Sequence, residues 1–222
     1  SDLAVMDGAA HTAKLLQGVT TEVIGQDGLG YAPVDGYTAV QIAGQIAGWN
    51  GRAEPFAWRT MGEFLDAIDE STAGNVAALG PQGNLRMSVG GHENRPATAE
   101  ELRRMGEMLG AALDEGAFGM SSGLTYTPGM YAETAELEYL CRIVAERGGY
   151  WAPHTRSYGG AALDAYAEAI EIGRRTGCPI HLTHATMNFL PNRGRADELL
   201  ALVDAAIAAG VDVTLDTYPY LP

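Results

Sequence analysis

Lysine is almost missing: Lys14 is the only one among 14 basic residues, set against 28 acidic ones. The formal charge of -14 argues against phosphate backbones and anionic membranes, so nucleic-acid and membrane partners are not expected. Cysteine is scarce too. Cys141 and Cys178 form no CxxC pair, which excludes a disulfide framework or a zinc ribbon. Cys141 falls within an apolar helical stripe and reads as a reduced core residue. No run is long and apolar enough to span a bilayer. No signal-peptide pattern is visible, so a cytoplasmic protein is the default expectation. The sequence opens on Ser1 rather than methionine, which leaves a preceding leader open. Neither GxGxxG nor GxxxxGK[ST] follows a β-rich run, and nucleotide-binding α/β folds lose support accordingly.

What is present is a regular alternation. At 222 residues and 46% hydrophobic, the chain can build one sizeable domain over 1–222. Short β-rich runs at 19–24, 75–79, 117–121, 150–154, 180–184 and 213–218 are continuously apolar rather than alternating, as strands buried on both faces are. Amphipathic helices separate them. Thr98-Ala99-Glu100-Glu101 is a capping box. Leu102, Met105, Leu109 and Leu113 follow at helical spacing. Leu137, Cys141 and Val144 make the next stripe, Leu163, Ala167 and Ile170 another, and Leu199, Val203 and Ala206 the last, with Gly210 as its left-handed stop. Segment 30–74 is less regular, with a short helical run over 61–69, and reads as an elaborated connection in which Trp49 either lines a pocket or is structural. Segment 80–96 reads as loop, with His92 at the surface or behind a site. Strand–helix–strand repetition implies parallel pairing through right-handed crossovers. A doubly wound sheet and a (β/α)8 TIM-type barrel both fit. Functional residues at several strand ends favour the barrel, with six of its eight strands counted here.

Those strand-end residues carry the chemistry. His154 and His184 close two successive strands, and imidazoles so placed converge on the carboxyl-end face where barrel active sites are built. Two convergent neutral imidazoles start a divalent metal site, with zinc expected. Taken singly, each histidine reads as a satisfied polar residue. Asp27, in Gly25-Gln26-Asp27-Gly28, offers a hard oxygen ligand beside them, or else a plain Asp-Gly turn. Arg156 has a fork suited to a substrate carboxylate, or a structural place at the mouth. Tyr218 has a phenol that could polarise a carbonyl, or pack around Pro219. Asp216 shares its face as a candidate partner for an imidazole. Lys14 lies far from the 117–121 strand end, so a carbamylated-lysine bridge is unavailable.

The runs Leu15-Leu16-Gln17-Gly18-Val19-Thr20-Thr21-Glu22-Val23 and Gly116-Ala117-Phe118-Gly119-Met120-Ser121-Ser122-Gly123-Leu124-Thr125-Tyr126-Thr127-Pro128-Gly129 carry a resemblance, together with His154-Thr155-Arg156-Ser157, Leu182-Thr183-His184 and Tyr218-Pro219-Tyr220. In that order they resemble the N-acyl-D-amino-acid deacylase (D-aminoacylase) family of the amidohydrolase superfamily. The resemblance implies a metal-dependent hydrolase barrel with one or two zinc ions, acting on the N-acyl amide of small N-acyl-D-amino acids. It implies that His154 and His184 are the two later metal histidines and that Arg156 and Tyr218 lie near the substrate carbonyl or carboxylate. Asp27 stands where the family usually has cysteine. Thr186 stands where many members have a substrate-holding lysine. The family's His-x-His pair, its catalytic aspartate and its small β-domain have no counterpart here, so the chain reads as an interior segment, with remaining parts of a parent chain completing the barrel. Two other functions stay in view: a cyclic amidase of the hydantoinase or dihydroorotase kind, and a non-catalytic incomplete barrel.

Overall fold

In the computed structural model, which describes residues 2–46 and 56–218, the β-rich runs become six strands. They are β1 (Thr21–Ile24), β2 (Asn75–Pro81), β3 (Gly119–Gly123), β4 (Tyr150–His154), β5 (Ile180–Leu182) and β6 (Val213–Leu215). Each pairs in parallel with the next, in the spatial order β1-β2-β3-β4-β5-β6. A doubly wound sheet reverses its order at a switch point. An unbroken sequential order means that every crossover moves the same way round, and the result is a curled, partial TIM-type barrel.

Helices connect the strands: α1 (Gly8–Leu15), α2 (Gly36–Gln45), α3 (Met61–Asp69), α4 (Gln82–Gly90), α5 (Ala99–Asp114), α6 (Thr134–Glu146), α7 (Ala162–Thr176) and α8 (Ala196–Ala208). The Thr98–Glu101 capping box forms as expected, and Thr60 with Glu63 makes a second one at α3. The larger core lies between β3–β6 and α5–α8, around Leu109, Met120, Leu137, Trp151, Tyr166 and Ile180. A smaller one, with Ile24, Ile42, Met61, Phe64 and Ile68, lies against β1 and β2. Cys141 is free and buried in the larger core.

Several sequence expectations need correction. Segment 80–96 is not all loop, because α4 occupies Gln82–Gly90. Gln82 through Met87 are all buried, polar and apolar alike, so no exposed polar face alternates with an apolar one to produce a periodic stripe. In the irregular 30–74 segment, Asp35 caps α2 by accepting from the Thr38 amide at 2.6 Å. Trp49 lies outside the described residues. In α7 Ile170 is buried as expected, while Leu163 and Ala167 are half-buried and the buried stripe runs through Ala162, Ala165, Tyr166 and Ala169. β1 starts later than 19 because the Val19 amide still bonds to Lys14, at the end of α1. β5 stops at Leu182, since His184 leaves the extended region at φ 40°.

The buried face of α4 is polar where it meets α6. Glu136 accepts from Gln82 Nε2 at 2.7 Å and pairs with Arg86, and both members of the ion pair are almost fully buried. Arg86 also donates to the Arg95 carbonyl at 2.7 Å. Burial pushes the Glu136 carboxyl up, and Arg86 opposes it. Removing one member would strand the other charge in the interior. Arg86→Met is therefore expected to cost about 3–5 kcal/mol in urea unfolding, with most of it recovered when Glu136→Leu is added. A loss below about 1 kcal/mol for Arg86→Met would contradict this reading of the pair.

Candidate metal centre

The turn after β1 is left-handed at Gly25 (φ 76°), Asp27 (φ 61°) and Gly28 (φ 73°). Aspartate is among the few side chains that enter this region without large strain. At Gly28 a side chain is impossible on two counts. Its φ is positive, and a methyl group would run into the backbone of Ser122 and Gly123. The Gly28 amide is instead tied to Ser121 Oγ on β3 at 3.0 Å. The turn thus folds down onto the end of β3 and holds Asp27 over the mouth of the sheet.

His154 is the last residue of β4, in register with Gly123 of β3. His184 stands just past β5, and its unusual backbone conformation is held by Asp216, which follows β6 and accepts its amide proton. The other oxygen of Asp216 lies 3.2 Å from His181 Nε2, and His181 Nδ1 meets Thr214 Oγ1 at 2.8 Å. Asp216 is thus partner to an imidazole, that of His181, and to the main chain of His184.

Three ring and carboxylate atoms come together. His154 Nδ1 is 2.7 Å from His184 Nε2 and 3.8 Å from Asp27 Oδ1. Ligand atoms of Asp27, His154 and His184 all lie within 4.8 Å of one another, a grouping unique among the described residues. Asp27 Oδ1 and His184 Nδ1 are buried without a hydrogen-bond partner. Leaving such atoms unsatisfied is costly. Two imidazole nitrogens and one carboxylate oxygen form a donor set suited to zinc and similar divalent ions.

The surroundings keep those donors available. Burial, and after it the neighbouring His184, pushes His154 down to about 3 from its ordinary 6.5. His184 is also lowered by burial, against the pull of Asp27 and Asp216. Asp27 is raised by burial, which His184 opposes and Asp216 reinforces. The imidazoles are therefore neutral near pH 7, with a lone pair each. Tyr126 OH lies 3.5 Å from His154 Nδ1, and Tyr158 OH lies 3.4 Å from His184 Nε2. Burial pushes both phenols up, Tyr126 to about 12, so both keep their protons.

Of the residues singled out from sequence, Asp27, His154 and His184 meet. Tyr218 stands beside them, its ring centroid 5.4 Å from that of His184. It lines a cavity of about 220 Å³ with Gln26, Asp27, Thr183, His184, Asp216 and Thr217. Arg156 turns elsewhere, to Glu168 on α7 at 2.8 Å. His92 bonds to Tyr37 and Gln45, at 3.2 and 2.7 Å. Lys14 pairs with Glu22. Sequence reading missed Thr125, Tyr126 and Tyr158. Thr125 and Tyr126 follow the end of β3 directly, so the rule that marked Asp27 also applied to their hydroxyls.

A histidine depressed on folding leaves the unfolded chain to take up the proton first. The metal-free protein is therefore expected to lose stability as pH falls from 6.5 toward 3. One such group contributes a slope of about 1.4 kcal/mol per pH unit. Urea unfolding at stepped pH checks this, and His154→Gln should flatten that part of the profile. An unchanged slope in the variant would mean that His154 titrates normally.

No family model matches the chain. It is 39% identical over 222 residues to N-acyl-D-glutamate deacylase of Alcaligenes xylosoxydans xylosoxydans, covering 99% of this chain and 44% of that protein. The crystal structure of N-acyl-D-glutamate deacylase from Bordetella bronchiseptica, complexed with zinc and a phosphonate that mimics the tetrahedral intermediate, superposes with a TM-score of 0.86 at 34% identity. It covers 99% of this chain and 45% of that one. A D-aminoacylase structure, described for a binuclear metal centre with one-metal activation and second-metal attenuation, gives 0.89 at 32% identity with the same coverage. The chain thus spans less than half the length of the relatives it matches. Ordered motifs, a shared fold and likeness over nearly all of its residues agree: along 99% of its length this chain is similar to N-acyl-D-glutamate deacylase and D-aminoacylase, of the amidohydrolases.

Proposed function

We propose that this chain carries the metal-binding face of a zinc-dependent deacylase that hydrolyses the N-acyl amide of small N-acyl-D-amino acids. One observation supports it above the others: ligand atoms of Asp27, His154 and His184 converge within 4.8 Å while the buried Asp27 Oδ1 has no hydrogen-bond partner. Asp27 Oδ1, His154 Nδ1 and His184 Nε2 would hold the ion. When bound, it would supply Lewis-acid polarisation of the amide carbonyl and acidification of a water molecule.

The chain's own residues do the rest. Burial keeps protons off both imidazoles, so their lone pairs stay available near neutral pH. Tyr218, on the rim of the 220 Å³ cavity, is the proposed hydrogen-bond donor to the substrate carbonyl. Arg156 is the proposed anchor for the substrate carboxylate, steadied by Glu168. With threonine at 186, no ammonium group is available from that position. The cyclic-amidase reading is the weaker one, because the single lysine is paired with Glu22 away from the cluster. No helix of the described residues is long and apolar enough to cross a membrane. A cytoplasmic location is part of the proposal, supported by two free, buried cysteines.

Elemental analysis and deacylase assays on the full protein test the proposal. Zinc should co-purify, and a chelator should abolish turnover of N-acetyl-D-amino acids. His184→Ala should lose the ion and lower kcat/KM by at least about a hundredfold, as loss of a metal ligand entails. Retention of full metal content by both His154→Ala and His184→Ala would overturn it.

Arg156 has its own test. Arg156→Met should reduce kcat/KM for a carboxylate-bearing substrate by about tenfold more than for its amide analogue. Equal losses on both would make the Arg156–Glu168 pair a strut between β4 and α7.

A further inference from the structure

We propose that Thr125 is a positioning residue whose hydroxyl fixes the tautomer and the ring orientation of His154. The inference rests on the reading that His154 holds a metal ion. A neutral imidazole offers one lone pair, and the hydrogen bond made by its other nitrogen decides which nitrogen offers it. In His154 the nitrogen facing the cluster is Nδ1, 2.7 Å from His184 Nε2 and 3.8 Å from Asp27 Oδ1. Nε2 must then carry the proton and needs an acceptor. Thr125 Oγ1 lies 2.7 Å from it.

The backbone brings Thr125 to this place. Gly123 pairs in register with His154, and the Leu124 amide donates to the His154 carbonyl at 3.0 Å, so the chain leaving β3 is pinned beside the end of β4. Gly123 permits the close approach, because a side chain there would collide with the Asp27 carbonyl and the Tyr126 ring. Two rings pack against the imidazole. Tyr126 packs against it at a centroid distance of 4.6 Å, and Tyr158 meets it edge-on at 4.8 Å. Turning the His154 ring over by half a rotation would put a carbon in front of Thr125 and another in front of the cluster. The Thr125 bond therefore selects the flip as well as the tautomer. A hydroxyl is a mild acceptor, which orients the ring without adding a negative charge beside Asp27.

Thr125 is exposed at the mouth, so water can partly replace its hydroxyl. The expected effect is therefore at the low end for such partners. In the full protein, Thr125→Val should weaken zinc binding, measured by competition with a chromophoric chelator, by about tenfold. Thr125→Ser keeps the hydroxyl and should stay within about threefold of wild type. Ring-nitrogen NMR of the zinc-loaded wild type, with His154 identified by its absence in His154→Gln, should find the proton on Nε2. If Thr125→Val does not fold, Thr125→Ala supplies the same comparison, with the same loss of about tenfold expected. A proton on Nδ1, unchanged affinity in Thr125→Val, or an equal loss in Thr125→Ser would each overturn the role of Thr125 while leaving zinc binding intact. Absence of zinc from the wild type would overturn the metal reading itself, and this proposal with it.

Discussion

Parallel register at the carboxyl ends of the strands is the constraint on which the rest depends. Gly123 of β3 lies opposite His154 of β4, and the Gly28 turn is tied to Ser121 of the same β3. A slip of one residue in the β3–β4 pairing would send His154 to the other face of the sheet, and loss of the Gly28 tie would release Asp27 from the mouth. The strands themselves are held by the core on their outer face, where Met120, Trp151, Ile180 and Leu182 pack against the helices. Trp151 adds a directional tie through its indole N–H, which donates to Ser122 Oγ at 3.0 Å. The apolar outer layer thus sets the position of the polar inner one.

Two left-handed residues are held at the mouth, each supported locally. Asp27 and His184 are non-glycine residues at positive φ, and each lies in a cluster of opposing electrostatic pulls. The Gly28 bond to β3 stabilises the first, and Asp216 accepts the His184 amide to stabilise the second. Residues held in such conformations concentrate where geometry serves chemistry. Burial acts in the same direction. It keeps the two imidazoles neutral and the surrounding phenols protonated, so the cluster presents lone pairs toward its centre.

The strands, the capping box and the cluster of Asp27, His154 and His184 were legible in the sequence because each leaves a local mark: an apolar run, a Thr-x-x-Glu spacing, a polar residue where the run ends. Helix α4 was not legible, because its buried run Gln82–Met87 mixes polar and apolar residues and shows no amphipathic period. Asp216 was legible as a partner for an imidazole, but not which histidine it serves, because it lies 32 residues from His184 and only the parallel pairing brings the two together. Thr125 follows β3 much as Asp27 follows β1, yet its partner His154 is 29 residues away. Tyr158 is four residues beyond His154 and was within reach of local reasoning, but a tyrosine in a loop carries no distinguishing spacing. Arg156 was correctly placed near a strand end, yet its carboxylate partner Glu168 belongs to the following helix.

Anomalous diffraction at the zinc edge, on crystals of the protein grown with zinc, tests the central claim most directly. The account expects a peak about 2.0–2.2 Å from Asp27 Oδ1, His154 Nδ1 and His184 Nε2. No peak at that point, or zinc bound only at other residues, would contradict it.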